Sequence, residues 1–199
     1  AGRVDNSTVV VADNAEVARN VYGGGNYGFV QTGGTTNLYV LGGTVHGSVF
    51  GGSNQQQGQT VNITMKDGLV EGGLYGGSNA TGTISGNVTM NINGGQVGTS
   101  STNANIHGGG YGSATIVSGN VDLTLGTAGA ATGVTVYGDV YGGSALGSVN
   151  GTSATTTYHT NVTLNKGTIN GSLYGGALGA TGTAANVYGP VTVTVAGGK

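Results

Sequence analysis

One short motif, an apolar residue followed by a ring-bearing residue and two glycines, recurs six times along this chain of 199 residues. The ring is Tyr in four copies, Phe in one and His in one. The copies begin at Val21, Val49, Leu74, Ile106, Val140 and Leu173, with spacings of 28, 25, 32, 34 and 33 residues. A motif repeated at such intervals indicates an array of equivalent structural units.

A second kind of segment separates the copies, and its apolar and polar residues alternate. These segments lie at 37–40, 61–65, 87–92, 120–125, 161–164 and 191–195, and most end in a glycine-containing turn. Alternation with period two is typical of a strand with one buried face. A further apolar residue lies four positions before most of the motifs, as Val45 does before Val49. Each unit is therefore predicted to contain three short strands separated by glycine corners.

The same residue types at the same place in every unit favour a solenoid over a β-sandwich, which would need hairpins and distinct strands. We expect one domain, residues 1–199, with an all-β fold and no helices. Its architecture is predicted to be a β-solenoid (parallel β-helix) of about six coils with three short strands per coil. Equivalent strands would stack in parallel about 4.8 Å apart, which gives a rod about 30 Å long.

Stacking of equivalent coils would place like side chains over like, as in cross-β ladders. The motif predicts a structural aromatic ladder of Tyr22, Phe50, Tyr75, His107, Tyr141 and Tyr174. The alternating segments predict a structural asparagine ladder of Asn37, Asn87, Asn120 and Asn161.

The run Gly-Gly-x-Val-x-Gly-x-Val-Tyr-Gly-Gly-Gly, followed by Gly-Asn-Val-Thr-x-x-Ile-x-Gly-Gly, resembles the glycine-rich repeat arrays of large bacterial surface proteins. These include autotransporter-like passengers and cell-wall adhesins, and the resemblance extends from about Val9 to Gly198. It implies a surface-exposed or fibre-forming role, commonly adhesion or matrix building. It carries no catalytic residues over to this chain.

Charge is sparse, with five basic and seven acidic residues and a net charge of −2. No Lys or Arg occurs between Lys66 and Lys166. Nucleic-acid binding requires several Lys or Arg on one face, so we expect no nucleic-acid partner. No apolar run approaches the roughly 20 residues of a spanning helix, so we expect no membrane insertion.

No catalytic, metal or cofactor site is predicted. Asp67 and Glu71 are the closest internal acids, but Asp67 has a turn-forming role in Lys-Asp-Gly. The three histidines, His46, His107 and His159, occupy non-equivalent positions in the repeat, whereas a metal site needs several converging ligands. The glycine clusters are followed by no helical pattern of the kind that a phosphate-binding loop requires.

Two weaker possibilities concern the surface. Thr64, Thr89, Thr124, Thr163 and Thr192 fall in comparable strands and suggest an ice-binding array, a distant alternative alongside a polysaccharide-acting protein. The longer units carry extra polar loops near 98–105, 127–133 and 151–160, and such insertions often form the binding face of a solenoid. Tyr158 and His159 are the bulky residues of the third loop and are the candidate binding residues for a glycan or a host surface protein.

The chain begins and ends with equivalent strand material, 8–11 and 191–195, and neither segment has the pattern of a capping unit. Open ends in compatible phase have two explanations: head-to-tail stacking, which generates filaments, or a section of a much longer array whose neighbouring units supply the caps. We therefore expect an extracellular or cell-surface structural protein that forms a filament or matrix fibre with itself as partner, and not an enzyme. The alternative is an adhesin or passenger-domain fragment that binds through its loops.

Overall fold

In the computed structural model, which describes residues 2–199, the chain is built of short strands joined by turns and loops, and this part of the chain contains no helix. Ala1, the first residue of the predicted 1–199 domain, lies outside the described residues. The strands are β1 (Arg3–Val4), β2 (Ser7–Val11), β3 (Glu16–Val17), β4 (Val21–Tyr22), β5 (Phe29–Val30), β6 (Thr35–Val45), β7 (Val49–Phe50), β8 (Thr60–Val70), β9 (Leu74–Tyr75), β10 (Thr81–Ile84), β11 (Val88–Ile92), β12 (Gln96–Val97), β13 (Ile106–His107), β14 (Ala114–Val117), β15 (Val121–Leu125), β16 (Val134–Val136), β17 (Val140–Tyr141), β18 (Ser148–Val149), β19 (Thr160–Leu164), β20 (Gly167–Ile169), β21 (Leu173–Tyr174), β22 (Asn186–Val187) and β23 (Val191–Val195). The predicted all-β fold is confirmed.

Each strand pairs in parallel with the equivalent strand of the neighbouring unit. One column consists of the long strands, which are β2, β11, β15, β19, β23 and the first parts of β6 and β8. A second column consists of the second strands, which are β3, β12, β16, β20 and the last parts of β6 and β8. The aromatic strands are β4, β7, β9, β13, β17 and β21. We call equivalent residues that lie over one another from unit to unit a column.

A fourth strand in the unit corrects the prediction of three. The fourth strands are β1, β5, β10, β14, β18 and β22, and they form a four-stranded and a two-stranded sheet. Gly58 joins the column through a bridge to Ile84. Only one or two apolar residues in each of these segments point inward, such as Ile84 and Val117. Such short segments, set among Gly, Ser and Thr, carry too little alternation to indicate a strand in the sequence.

The core lies between these sheets and is filled by the alternate residues of the long strands together with one or two residues from most of the shorter strands. In β11, Val88, Met90 and Ile92 are fully buried, whereas Thr89 and Asn91 between them are half-buried on the outer face. Each fully buried aliphatic side chain contributes about 1.5–3 kcal/mol. The core therefore extends continuously from unit to unit along the stacking direction.

The first glycine of the motif lies where two units make their closest backbone contact. A Cβ on Gly108 would collide with the carbonyl oxygen of Gly142 in the next unit and with Cγ1 of Val121. The equivalent glycines 23, 51, 76 and 142 face the next unit's carbonyl in the same way. Glycine is required at this corner because no side chain has space there, and Gly108 has no positive φ to explain it otherwise.

Candidate functional site

The rings of the six motifs form one continuous stack. Neighbouring ring centroids from Tyr22 to Tyr174 lie 4.8–5.2 Å apart, with interplanar angles of 3–11°. Pairs in this geometry contribute about 0.5–1.5 kcal/mol beyond the area that they bury. The structure thus brings together all six residues of the predicted aromatic ladder, Tyr22, Phe50, Tyr75, His107, Tyr141 and Tyr174.

His107 is the one titratable nitrogen base in this stack, between Tyr75 and Tyr141. It is 1% exposed, and its Nδ1 is buried with no hydrogen-bond partner. Burial lowers the pKa of His107 from 6.5 to about 4, against the opposing effect of the Asp139 carboxylate. The imidazole is therefore neutral at pH 7 and acts as a flat ring.

The four asparagines of the predicted ladder do not form one column, which corrects that prediction. Asn37 and Asn161 lie in one column, where Asn62, Thr89 and Asp122 come between them. Asn87 and Asn120 lie outside this column: each directly precedes its strand, β11 or β15, two residues before the strand's member of the column, Thr89 or Asp122. A shift of two residues leaves the inward and outward pattern unchanged, so alternation cannot reveal it.

Asn87 and Asn120 have a role of their own at a corner between units. The Asn120 N–H donates to Oδ1 of Asn87 at 2.9 Å, and the His159 N–H donates to Oδ1 of Asn120 at 3.0 Å. Each asparagine thus supplies a side-chain acceptor to the backbone of the next unit. By contrast, the Asn62 side chain donates to Oδ1 of Asn37 on the outer face, 3.0 Å away.

This difference predicts unequal effects of two alanine substitutions. Asn120→Ala removes the acceptor of a backbone N–H and should lower the free energy of unfolding by about 1 kcal/mol. Asn37→Ala removes only a solvent-facing side-chain contact and should change it by less than about 0.5 kcal/mol. Urea denaturation followed by circular dichroism measures both, and equal losses would contradict the assignment of a corner role to Asn120.

A second corner ladder, which was not predicted from the sequence, lies immediately before the aromatic strands. Asn20 Oδ1 accepts from the Ser48 N–H at 2.8 Å, and Asn105 Oδ1 accepts from the Asp139 N–H at 2.8 Å. Asp139 Oδ1 in turn accepts from the Ser172 N–H at 2.7 Å. A polar residue directly before most motifs was the signal for it.

The candidate loop residues Tyr158 and His159 differ in their surroundings. Tyr158 is 40% exposed. His159 Nε2 lies 3.2 Å from Oδ1 of Asp122, and its backbone is bound to Asn120, so this residue has a structural role. The buried Asn150, at φ 61°, holds the loop by donating to the carbonyls of Gly119 and His159 at 3.0 and 2.8 Å.

His46 and Glu71 form an exposed pair at the surface. His46 Nδ1 lies 3.0 Å from Oε2 of Glu71, with both side chains more than one third exposed. Residues 2–199 contain no cluster of three or more His, Cys, Asp or Glu that could hold a metal ion. The same residues include no helix of the length and apolarity needed to cross a membrane.

The outward threonines occupy two columns. Thr64, Thr124 and Thr163 share one column with Tyr39, Asn91 and Thr194. Thr89 and Thr192 lie in the other column, which also contains Asn37, Asn62, Asn161 and Asp122. The face is therefore a mixed Thr and Asn surface interrupted by Tyr39 and by Asp122.

The strands at the two ends of the sheets have one neighbour each, and the C-terminal edge carries several exposed apolar residues. The C-terminal edge consists of β21, β22 and β23, and its exposed apolar residues include Tyr174 (46%), Val191 (42%), Val193 (43%) and Val195 (64%). The N-terminal edge consists of β1, β2, β3 and β4. Val191, Val193 and Val195 belong to the columns that start with Ser7, Val9 and Val11 of β2.

Comparison with known proteins gives no relative for this chain: no family model, no curated protein and no solved structure matches it.

Proposed function

We propose that this protein is an extracellular structural protein, a rigid β-solenoid rod of about six coils that stacks head to tail into a filament or a surface fibre. The observation that carries the proposal is the match between the two edges. The C-terminal edge exposes Val191, Val193 and Val195, and the columns to which they belong begin at the N-terminal edge with Ser7, Val9 and Val11. A non-closing contact of this kind adds copies without limit.

Backbone groups at the edges support this contact. Within the chain, the N–H of an inward long-strand residue donates to the next unit: Val61 to Asn87 and Val121 to His159, both at 2.9 Å. The same pattern, continued into a second copy, aligns the Val193 N–H with the carbonyl of Thr8. Exposed parallel edges of this type pair readily with another chain.

Charge also favours head-to-tail contact over contact between like ends. The first 20 residues contain Asp5, Asp13 and Glu16 against Arg3 and Arg19. Residues 140–199 contain Lys166 and Lys199 and no acidic residue. A slightly acidic end thus meets a basic end, and the low overall charge offers little repulsion to assembly.

The placement outside the cell rests on the resemblance to repeat arrays of bacterial surface proteins. The absence of cysteine is compatible with it, because such a chain has no thiol to oxidise.

Electron microscopy of the purified protein tests the proposal. We expect uniform filaments with an axial repeat near 4.8 Å. Val193→Asp, on the exposed inward column of β23, should abolish the filaments because a carboxylate would be buried unpaired at the junction. Thr194→Asp, on the outward side of the same strand, is the matched control and should leave filaments intact. Dispersed rods from the unchanged protein would overturn the proposal.

The exposed side chain of Tyr158 favours an adhesin as the second candidate function. Tyr158→Ala should then weaken binding to a glycan or host protein while filaments form as before. A glycan array with the unchanged protein and this variant separates the two functions.

A further inference from the structure

The ring stack contains one place where two phenols face each other. Phe50 and His107 separate the tyrosines elsewhere in the stack, so Tyr141 and Tyr174 are the one pair of tyrosine rings that stack directly. Their centroids lie 4.8 Å apart and their planes are inclined by 9°. The π orbitals of each ring therefore point at the other ring.

Tyr141 also has a proton acceptor. Its phenol O–H donates to Oδ2 of Asp139 at 3.0 Å, while Oδ1 of Asp139 accepts from the Ser172 N–H at 2.7 Å. The carboxylate is thus held in place by the backbone of the next unit. The Tyr22 phenol, by contrast, accepts a hydrogen bond from the amide of Asn20 at 3.0 Å.

The surroundings of Tyr141 couple the loss of an electron to the loss of a proton. Burial, together with the hydrogen bond to Asp139, raises the pKa of Tyr141 to about 12. Tyr141 is therefore a neutral phenol at pH 7, and removal of an electron makes its O–H group strongly acidic. Asp139 lies within hydrogen-bond reach to take that proton. The ring is buried, but it need not touch the oxidant because electron transfer does not require contact.

We propose that Tyr141 and Tyr174 form an oxidative cross-linking site, at which a one-electron oxidant couples the two rings into dityrosine. The chain has no cysteine, so disulfides cannot join its units. Coupling of Tyr141 to Tyr174 would instead fasten two neighbouring units covalently. The site lies within one chain and goes beyond the proposed function, since it does not require copies to stack.

The reaction consumes two equivalents of oxidant. Each equivalent takes one electron from one phenol; the proton of Tyr141 moves to Oδ2 of Asp139, and that of Tyr174 moves to water. The two phenoxyl radicals then form a carbon–carbon bond between the Cε carbons beside their oxygens. Each of these carbons loses its hydrogen as a proton and each oxygen takes up a proton, which restores both aromatic rings. The pair thus loses two hydrogen atoms in all.

A second pair of tyrosines provides an internal comparison. Tyr75 and Tyr111 have centroids 5.4 Å apart, but their planes are inclined by 77°, so the edge of one ring meets the face of the other. The π orbitals of these two rings are not aligned with each other. Because coupling between held groups depends on orientation as well as on distance, Tyr75 and Tyr111 should couple less than Tyr141 and Tyr174.

Oxidation followed by cleavage with trypsin provides the test. The purified protein is oxidised in dilute solution at pH 7 with photochemically generated tris(bipyridine)ruthenium(III), a one-electron oxidant, and is then unfolded. Trypsin cuts after Lys66 and Lys166, which places Tyr141 in peptide 67–166 and Tyr174 in peptide 167–199. Mass spectrometry should find these two peptides joined, at the sum of their masses less two hydrogen atoms. Tyr75 and Tyr111 both lie in the first peptide, so their coupling would not join the two.

Tyrosine variants locate the cross-link. Tyr141→Phe and Tyr174→Phe should each abolish the joined peptides while keeping the stack, because Phe50 already occupies an equivalent place. Tyr111→Phe is the matched control and should leave the yield of joined peptides unchanged. Thermal unfolding of each variant verifies that it is folded.

A variant of the proton acceptor separates its role from that of the rings. Asp139→Asn should lower the yield of joined peptides about tenfold or more, because an amide does not take up the phenol proton. The fold should tolerate this change, since Asn20 and Asn105 occupy the equivalent position in other units and accept from the next unit's backbone in the same way. An unchanged yield would overturn proton transfer to Asp139.

Electron microscopy of the unoxidised and oxidised samples distinguishes the cross-link from the proposed function. Filaments whose chains yield no joined peptides would overturn the cross-linking site alone. Joined peptides from dispersed rods would support the cross-linking site and overturn filament formation as the function. Joined peptides that persist in Tyr141→Phe would overturn the assignment of the site to Tyr141 and Tyr174.

Discussion

Gly108→Val is expected to lower the free energy of unfolding by about 3 kcal/mol or more, at or above the usual upper limit for overpacking. The new Cβ would collide with the carbonyl oxygen of Gly142 and with Cγ1 of Val121. A side chain could rotate away, but this carbonyl belongs to the hydrogen-bonded backbone of the next unit. The collision can be relieved only by separating the two units, which breaks hydrogen bonds such as that from the Gly108 N–H to the Tyr141 carbonyl at 3.0 Å.

Gly176→Val is the control for this experiment. A Cβ on Gly176 meets nothing within 4 Å, and its backbone has no positive φ. The change should leave stability equal or slightly higher, because valine restricts the unfolded chain more than glycine does. Chemical denaturation of both variants gives the comparison. If Gly108→Val lowered the free energy of unfolding only slightly, close packing at the corner would not explain why the first residue after the ring is glycine.

Acid should destabilise the protein through His107. The folded-state pKa of His107 is lowered to about 4, so below pH 6.5 the unfolded chain takes up the proton first. The contribution of the neutral His107 to the free energy of unfolding is therefore fully present above pH 6.5 and is lost as the pH falls towards 4. The full loss corresponds to about 3 kcal/mol.

His107→Phe should remove this part of the acid sensitivity and keep the ring stack, because Phe50 occupies the equivalent place two units earlier. It also removes the unpartnered buried Nδ1, which should raise stability at pH 7 by about 1 kcal/mol. His46→Gln, at an exposed position, is the matched control and should retain the acid-induced loss. Unfolding curves between pH 7 and pH 4 measure the effect. A pH dependence that is equal in the two variants would exclude His107 as its source.

The sequence predicted those features of the fold that depend on local pattern. The aromatic column was predictable because, in the sequence, two glycines directly follow the ring residue in every unit. The parallel order of the long strands followed from repetition of the same alternation in every unit. Both signals lie within a few residues and recur six times.

Other features depend on register between units, which local pattern does not determine. Asn37 and Asn87 both precede an apolar inward residue, yet Leu38 pairs with Ile63 whereas Val88 pairs with Val61. The fourth strands were missed because Val149 and Val187 are single apolar positions among turn-forming residues.

Units of 25 to 34 residues keep their equivalent strands paired, apart from a β-bulge between β6 and β8, because most of the extra residues of longer units lie in loops outside the sheets. A gene that encodes such units can gain or lose one of them by recombination between neighbouring copies without disturbing the rest. Every such event would change the length of the proposed rod by one strand spacing, about 4.8 Å. The length of that rod would thus be a heritable quantity that varies in fixed steps with the number of units in the gene.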